Sequence, residues 1–299
     1  MSTAIVAADA LTQGVAEAAA LLAGRRMVVL TGAGISTDSG IPDYRGPDSP
    51  RHTPMTIAQF RSGPAARQRY WARSHLGWER MRHAEPNGGH RALAEIQAAT
   101  GSNTLITQNV DGLHQAAGSS PVIDLHGRLD TVVCLTCGAK SSRVQLQRRL
   151  ADLNPGFGYD AVRGAAAVRP DDTAAARPDD TATMRPDGDA EVGDTGSFVV
   201  ADCLICGGVL KPDVVFFGEN VPARTVRASY DAVAGAEAMF VAGSSLTVMS
   251  GLRFVKRAAA QGIPIVIVNR GATRGDDLAT LRVDAGCTPF LSALAAELG

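Results

Sequence analysis

The chain has 299 residues, of which 45% are hydrophobic and only 5% aromatic, so it can bury an aliphatic core as one large domain or two lobes. Its 29 basic and 30 acidic residues leave a net charge of −1, which argues against binding to nucleic acid or to an anionic membrane. No apolar run approaches the roughly 20 residues of a membrane span. The first 24 residues contain no Lys or Arg, unlike a signal or transit peptide, so we expect a cytoplasmic protein.

A short apolar run followed by a glycine turn is the first chemical signal. Residues 27–30 (MVVL) are typical of a buried parallel strand and lead into Gly32, Ala33 and Gly34. Two glycines allow a tight turn and close approach of a ligand, and a strand–turn–helix start presents backbone N–H groups to a phosphate. The dinucleotide fingerprint has a third glycine where this chain has Thr37, so the turn alone leaves nucleotide binding and a plain tight turn both open.

The next residues strengthen the nucleotide interpretation. The segment GIPDYRG (40–46) places a carboxylate, a phenol and a guanidinium directly after the turn, on Asp43, Tyr44 and Arg45. Residues 47–85 contain four prolines and then a helical pattern, which predicts a cofactor-covering loop followed by helices of a smaller lobe.

That helical pattern, residues 65–82, carries Tyr70 and Arg73 three positions apart, on one helix face. From the residues alone, we interpret the pair as a helix surface with its aromatic ring in the core. His90, at the start of the next predicted helix, is interpreted as a capping or packing histidine.

Polar residues follow the next two predicted strands. Thr104–Thr107 leads into Gln108, Asn109 and Asp111, and the strand at 122–125 ends at His126. Open α/β sheets bind ligands beyond the carboxyl ends of their strands, so this placement favours His126 as a working base.

Strand-like segments continue to the C-terminal region at 208–219, Ala238–Ala242 and 263–268, and the last two end in polar turns at 243–245 and 269–271. Strands that alternate with helical patterns predict parallel βαβ units. We therefore expect an α/β fold with a Rossmann-like doubly wound parallel sheet and a smaller zinc-ribbon and helical lobe.

Four of the five cysteines form two CxxC pairs, which indicates a zinc site in a reducing compartment. The proposed ligands are Cys134, Cys137, Cys203 and Cys206. Four thiolates leave no open coordination position, so the metal would be structural. A redox role for CxxC is disfavoured because two pairs occur.

The 65 residues between the pairs contain an insertion, at about 160–196. The motif RPDD at 169–172 recurs at 177–180 and, as RPDG, at 185–188. This composition cannot bury enough apolar surface to fold alone, and we favour a passenger surface loop over a functional lid. Residues 154–159 and 198–200 are predicted to anchor its ends.

In chain order, the motifs GAGIS, GIPDYR, TQNVDGLH, LHG, the CxxC pairs, KPDVVFFGE, GSSLTV and NRG resemble the sirtuins, the NAD-dependent protein-lysine deacylases. The resemblance covers residues 24 to 287. The tract RQRYWAR with a later GW, the PDGD segment and the long inter-knuckle segment are similar to class II sirtuins, most like the mitochondrial lipoamidase-type branch, here as a bacterial member. The RPDD repeat departs from the family pattern.

The resemblance implies a large lobe of about residues 1–46, 86–130 and 209–299 and a small lobe of 47–85 and 131–208. It implies that NAD is the co-substrate and that one Zn²⁺ is structural. The implied NAD contacts are Gly32, Ala33, Gly34, Thr37, Asp43, Tyr44, Arg45, Gln108, Asn109, Asp111, Gly243, Ser244, Ser245, Asn269, Arg270, Gly271 and Cys287.

The resemblance also implies a mechanism. The acyl-lysine carbonyl oxygen attacks the ribose C1′ as nicotinamide leaves, with Asn109 and His126 as catalytic residues and His126 as the base on a ribose hydroxyl. The substrate peptide would add as a strand between residues 245–251 and a second segment. That segment is formed by Val215, Phe216, Phe217, Gly218 and Glu219.

In the desuccinylase-type branch a Tyr-x-x-Arg pair recognises acidic acyl groups. The resemblance therefore suggests that Tyr70 and Arg73 line the acyl pocket and that Arg73 pairs with a carboxylate-bearing acyl chain. The expected partners are acyl-lysine proteins; the preferred acyl group and the oligomeric state, including a monomer, are left open.

Three other functions are compatible with parts of this sequence. A dehydrogenase is disfavoured by the missing third glycine and by the lack of a clear acidic residue about twenty positions later. A zinc-ribbon nucleic-acid module is disfavoured by the net charge of −1. Protein mono-ADP-ribosylation at the same site stays an alternative.

Overall fold

The computed structural model of the protein describes residues 2–46, 53–100, 103–157, 188–190 and 192–299. Its contacts divide the chain into two units. The first unit contains Met1–Arg51, Glu85–His126 and Val221–Gly299, and the second contains His52–Ala84 and Gly127–Asn220. Within the described residues, no helix is both long and apolar enough to cross a membrane.

A six-stranded parallel sheet forms the centre of the first unit, in the order β3-β2-β1-β7-β8-β9. The strands of this sheet are β1 Met27–Thr31, β2 Thr104–Thr107, β3 Val122–Asp124, β7 Ala238–Ala242, β8 Ile265–Val268 and β9 Leu281–Val283. The strand order reverses beside β1, which lies between β2 and β7. In open α/β sheets such a reversal forms a crevice at the carboxyl ends of the strands.

Alternate residues of each strand pack on opposite faces of this sheet. In β1, Val29 joins one apolar cluster with helices α1 (Ser2–Leu22), α4 (Gly88–Thr100) and α9 (Cys287–Leu298). Val28 and Leu30 join the other cluster. The helices on that side are α7 (Ala223–Ala234) and α8 (Met249–Gln261). Helices on both faces confirm the predicted doubly wound α/β sheet.

Among the described residues of the second unit, a three-stranded antiparallel sheet in the order β5-β4-β6 packs with three helices. The strands are β4 Gly127–Cys134, β5 Lys140–Ser142 and β6 Leu210–Val214; the helices are α2 Ile57–Arg61, α3 Pro64–His83 and α6 Arg143–Leu153. Its apolar core includes the fully buried rings of Phe60, Trp71 and Phe198.

Among the residues that the structure describes, the units differ from the sequence-based lobes at residues 85, 127–130 and 209–220. Residues 127–130 and 209–220 belong to the second unit, because β4 runs through the first boundary and pairs with β6. The described residues after the glycine turn do not form the expected α-helix. Two short 3₁₀ turns, Ala33–Ile35 and Thr37–Ser39, follow the turn instead. Helix α5 (Leu113–Ala116), which follows β2, is a single turn.

Residues 47–52 of the predicted cofactor-covering loop lie outside the described residues. Residues 158–187 and 191, which include most of the insertion, also lie outside them. The two predicted anchors are confirmed where they are described. Asn154 Nδ2 donates to Val199 O at 2.9 Å, and the rings of Phe157 and Phe198 pack edge to face at 4.8 Å.

Candidate active site

Two strand-end turns interlock in the first unit, the one after β1 and the one after β7. The Gly34 backbone N–H donates to Gly243 O at 2.8 Å. A Cβ on Gly34 would lie 2.9 Å from Gly243 O, and one on Gly243 would lie 2.4 Å from the Ile35 nitrogen. Gly243 also has a φ of 65°, which favours glycine. The glycines are therefore required for one turn to approach the other.

The β7 turn continues into a strained position. Leu246, which is buried, has a φ of 53°, a conformation that costs an L residue about 1–2 kcal/mol. Such outliers persist where the surrounding structure fixes them, and they cluster at functional sites.

A polar network joins the β1 turn to the residues after β2. Ser36 Oγ donates to Asp111 Oδ2 at 2.7 Å and accepts from Asn109 Nδ2 at 3.0 Å. The same Asn109 amide donates to Gly32 O at 3.2 Å. Asn109 is 9% exposed, so its side chain is held in one orientation. The structure therefore brings Gly32, Asn109 and Asp111 together at the carboxyl ends of β1 and β2.

His126 lies beside this network. Its Nδ1 lies 2.8 Å from Gln108 O, a carbonyl that can only accept, so Nδ1 carries the proton. Nε2 is then the basic nitrogen, and it lies 2.9 Å from Ser250 Oγ, which donates to it. Burial lowers the pKa of His126, and the hydrogen bond to Gln108 O partly opposes this effect. The neutral imidazole is the form that can accept a proton.

The Gln108 side chain crosses from β2 to the β7 turn. Its Nε2 donates to Ser244 Oγ at 2.8 Å and to Thr31 O at 3.2 Å. A Cβ on Gly251 would lie 2.6 Å from Gln108 Oε1, so this glycine leaves room for the amide. Gln108 therefore connects the carboxyl ends of the neighbouring strands β1, β2 and β7.

Two further histidines, His90 and His114, lie next to this network and are both fully buried. The rings of His90 and His114 pack edge to face with centroids 4.9 Å apart. His90 Nδ1 accepts from Asn87 N at 3.3 Å, which directs its Nε2 toward Ser36 Oγ at 3.5 Å. Burial lowers the pKa of His90 to about 4 and that of His114 to about 3. Both are neutral packing residues, as predicted for His90.

The remaining residues implied to contact NAD lie on loops of the first unit. Asp43 accepts from Gly46 N at 2.7 Å, and Thr37 Oγ1 donates to Gly34 O at 3.1 Å. Asn269 Nδ2 donates to Arg270 O at 2.7 Å and Gly271 O at 3.1 Å.

Four others belong to the same set, three of them on loops and Cys287 on α9. Ser245 Oγ lies 3.0 Å from Thr247 Oγ1, while Tyr44 is half-buried and Arg45 exposed. Cys287 is buried at the start of α9; burial raises the pKa of its thiol to about 12, so it stays protonated.

In the second unit the four paired cysteines converge. Their Sγ atoms all lie within 4.8 Å of one another, with Cys134 and Cys206 3.6 Å apart and Cys137 and Cys203 3.8 Å apart. Four sulfur atoms at these separations fit one tetrahedral Zn²⁺. Two pairs separated by 65 residues therefore meet as a single candidate metal centre.

Tyr70 and Arg73 also lie in the second unit, on α3. Tyr70 is 3% exposed and packs against the rings of Phe60, Trp71 and Phe216 at 5.2–5.4 Å. Arg73 Nε lies 3.9 Å from a carboxylate oxygen of Asp189. The guanidinium predicted to pair with an acyl chain thus already has a carboxylate of this chain beside it.

An ion pair shapes the segment predicted to bind peptide, between Glu219 of that segment and Lys211, which the sequence argument did not assign. Lys211 Nζ lies 3.0 Å from Glu219 Oε2, which accepts from Phe216 N at 3.0 Å. Phe217 forms a parallel bridge with Thr56. The acyl-pocket and peptide assignments stay predictions.

Sequence reasoning did not single out Ser250 or Asp189. Ser250 is an ordinary serine in the first turn of α8, and its role appears only when α8 and β3 are placed together. Asp189 lies in repetitive sequence, where the PDGD segment was the only signal.

Comparison with known proteins agrees with this geometry. The Sir2 family model matches residues 32–250. The chain is 55% identical over 284 residues to a protein of Mycobacterium avium (strain 104) named NAD-dependent protein deacetylase 1, covering 94% of this chain and 95% of the relative. A protein of the same name from Streptomyces coelicolor is 53% identical over 275 residues, covering 91% and 86%.

Solved structures agree as well. One described as "Sir2-p53 peptide-NAD+" has a TM-score of 0.69 at 32% identity, covering 94% of this chain and 97% of its own. Another, described as "Structural Basis for the Mechanism and Regulation of Sir2 Enzymes", has a TM-score of 0.72 at 28% identity, with coverage of 96% and 98%. The chain belongs to the Sir2 family, the sirtuins.

Proposed function

We propose that this protein is an NAD-dependent protein-lysine deacylase that releases nicotinamide and O-acyl-ADP-ribose. The observation that carries the proposal is the convergence of the glycine turn, the Asn109–Asp111 cluster and His126 in the first unit. The two relatives named NAD-dependent protein deacetylase, at 55% and 53% identity, support it.

The first unit offers groups that fit NAD as co-substrate. In this proposal the pyrophosphate lies against the glycine turn after β1, as the sirtuin resemblance implies, and the hydrogen bond from Gly34 N to Gly243 O holds that turn in place. Asn109 and Asp111, held by Ser36, would bind the ribose and the carboxamide. In this proposal Ser244, Ser245, Asn269, Arg270, Gly271 and Cys287 hold the adenosine half.

The chemistry assigned to the protein is positioning and proton transfer. NAD supplies an electrophilic ribose carbon, which the acyl-lysine carbonyl oxygen attacks as nicotinamide leaves; this step needs alignment and charge stabilisation more than a strong nucleophile. His126 Nε2 then accepts the proton of a ribose hydroxyl. Its Nδ1–H bond to Gln108 O fixes the required tautomer.

In the second unit we propose one structural Zn²⁺ bound by the four cysteines. The metal would tie the loop after β4 to the loop before β6. Zinc would have no part in the chemical step, because a shell of four thiolates offers no position to substrate.

Mass spectrometry of NAD reactions tests the function, with acetyl-, succinyl-, glutaryl-, methylglutaryl- and lipoyl-lysine peptides as substrates. O-acyl-ADP-ribose should form with wild type and fall by roughly 10²-fold or more with His126→Ala. His83→Ala is a matched control, because His83 lies on the exposed C-terminal end of α3.

Two results would overturn the proposal. Nicotinamide release with ADP-ribose on an acceptor protein, and no acyl product, would indicate mono-ADP-ribosylation at the same site. Hydride transfer, seen as a change in nicotinamide absorbance, would indicate a dehydrogenase.

A further inference from the structure

The imidazole of His126 is held at both of its ring nitrogens. Nδ1 donates to Gln108 O at 2.8 Å, and Nε2 lies 2.9 Å from Ser250 Oγ. Because Nδ1 carries the proton, Nε2 has one lone pair in the plane of the ring, and the Ser250 hydroxyl donates to it. A substrate hydroxyl that approaches His126 therefore meets a basic nitrogen whose lone pair already has a donor.

Packing and hydrogen bonds fix the first turn of α8 against this ring. Gln108 provides the carbonyl that binds Nδ1, and its side chain lies where a Cβ on Gly251 would be 2.6 Å from Oε1. Leu252 is 2% exposed and belongs to the apolar cluster on that face of the sheet. The backbone N–H groups of Gly251 and Leu252 both donate to Val248 O at 3.3 Å. Ser250 directly precedes these two residues, so the helix itself holds its hydroxyl beside Nε2.

The Ser250 oxygen has the capacity to bind a second hydroxyl. Within the described part of the chain its hydrogen bond is the one to His126, and the side chain is half-buried. A hydroxyl oxygen accepts hydrogen bonds while its own proton is donated. Ser250 also lies in the first turn of a 13-residue helix, where the helix dipole favours developing negative charge. A substrate hydroxyl can therefore donate to Ser250 Oγ without breaking the bond from Ser250 to His126.

We propose that Ser250 is a catalytic residue that relays a proton from the attacking ribose hydroxyl to His126. The relay deepens the proposed deacylase function and rests on it. Ser250 Oγ takes the ribose proton as its own proton passes to His126 Nε2, so Ser250 ends as a neutral hydroxyl and His126 as an imidazolium. The electron pair left on the ribose oxygen forms its bond to the acyl carbon, and the π electrons of that carbon move onto the lysine nitrogen.

Imidazole ¹⁵N NMR of the whole protein, without NAD or peptide, tests the contact on which the relay depends. The His126 resonances are identified by their loss in His126→Ala. Ser250→Ala should shift the Nε2 resonance downfield, because that nitrogen loses its donor, and should shift the Nδ1 resonance less. Ser250→Thr, which keeps a hydroxyl, should restore the Nε2 position. An Nε2 resonance that does not move in Ser250→Ala would overturn the proposal.

Two rates measured with an acetyl-lysine peptide test the chemical role. Ser250→Ala should lower formation of O-acyl-ADP-ribose by about tenfold or more, since a positioned proton-transfer group contributes roughly 10²–10⁴-fold. Exchange of labelled nicotinamide into NAD precedes the relay, so it should fall much less. Ser250→Thr should recover most of the product formation. Ser229→Ala is the matched control, because it removes a hydroxyl from α7 of the same unit.

The outcomes separate the relay from other roles of Ser250. An equal loss of exchange and product formation in Ser250→Ala would indicate a purely structural serine. Product formation equal to wild type would show that the ribose hydroxyl reaches Nε2 directly. Either result would overturn the relay while wild type remains an active deacylase. Failure of the proposed function is a different result, because wild type itself would then form no acyl product.

Discussion

The two units reach a defined structure by different physical means. In the first unit a parallel sheet is buried on both faces, and its site is set where backbone turns meet at van der Waals distance. In the second unit the described sheet is smaller, and its core is supplemented by a buried arginine, an ion pair and four convergent cysteines. A small apolar core needs such additional links. Substitutions that add volume at the turns should therefore destabilise the first unit most. Substitutions that remove a zinc ligand or an ion-pair partner should destabilise the second unit most.

Removal of one zinc ligand should have the largest effect. We expect Cys203→Ser to abolish zinc binding and unfold much of the second unit, because structural zinc contributes roughly 10 kcal/mol or more in small zinc domains. Elemental analysis and amide hydrogen exchange of each unit check this. Cys287→Ser, outside the cysteine cluster, should keep its zinc; equal zinc content in Cys203→Ser and wild type would contradict a metal centre.

Added volume at the interlocked turns should come next. Gly243→Ala should destabilise the first unit by about 3 kcal/mol or more, combining left-handed backbone strain with overpacking against the Ile35 nitrogen at 2.4 Å. Gly271→Ala is the matched control: its φ is 76°, but nothing lies within 4 Å of the added Cβ. Urea denaturation measures both, and equal losses would refute the role assigned to close approach.

Acid should weaken the first unit through its buried histidines. The pKa values of His90 and His114, about 4 and about 3, lie below 6.5, so the unfolded chain binds protons that the native chain does not. Stability is therefore complete above about pH 6.5 and falls as pH drops toward about 4, by roughly 1.4 kcal/mol per pH unit for each histidine.

The free energy of unfolding at about pH 7 and about pH 5 measures this loss. His114→Phe should remove about half of it, while His83→Phe, at the exposed end of α3, should change it little. An unchanged pH dependence in His114→Phe would assign the acid sensitivity to other groups.

The smallest expected effect concerns acyl preference. If Arg73 faces the acyl chain, as the sirtuin resemblance implies, Asp189 competes with an acidic acyl group for the guanidinium. Asp189→Ala should then raise the ratio of succinyl- to acetyl-lysine turnover by about tenfold, equivalent to about 1.4 kcal/mol. Competing peptides in one reaction measure the ratio, and Asp194→Ala, on an exposed part of the second unit, serves as control. An unchanged ratio would separate the buried pair from substrate selection.

The sequence was sufficient to predict those features that a single segment of the chain determines. Thr104–Thr107 and Ala238–Ala242 form strands with the predicted bounds, because each is a short apolar run ended by turn residues. The cysteine cluster followed from ligand chemistry and spacing alone.

Other features depend on pairs of distant residues. The turn glycines signalled close approach, but the sequence could not show that Gly34 meets Gly243. Nor could it pair His126 with Ser250, 124 residues away. The sirtuin resemblance assigned Arg73 to an acyl chain, and nothing in the repeat sequence around Asp189 indicated that this aspartate lies beside it. The individual NAD contacts stay predictions.

The position of Gly188 and Asp189 also bears on how the RPDD repeat could change in length. Gly188 and Asp189 directly follow the last RPD triplet, and their contacts fix this end of the insertion on the second unit. Unequal exchange between the copies would add or delete blocks of eight residues and would leave the sequence from Gly188 onward in register.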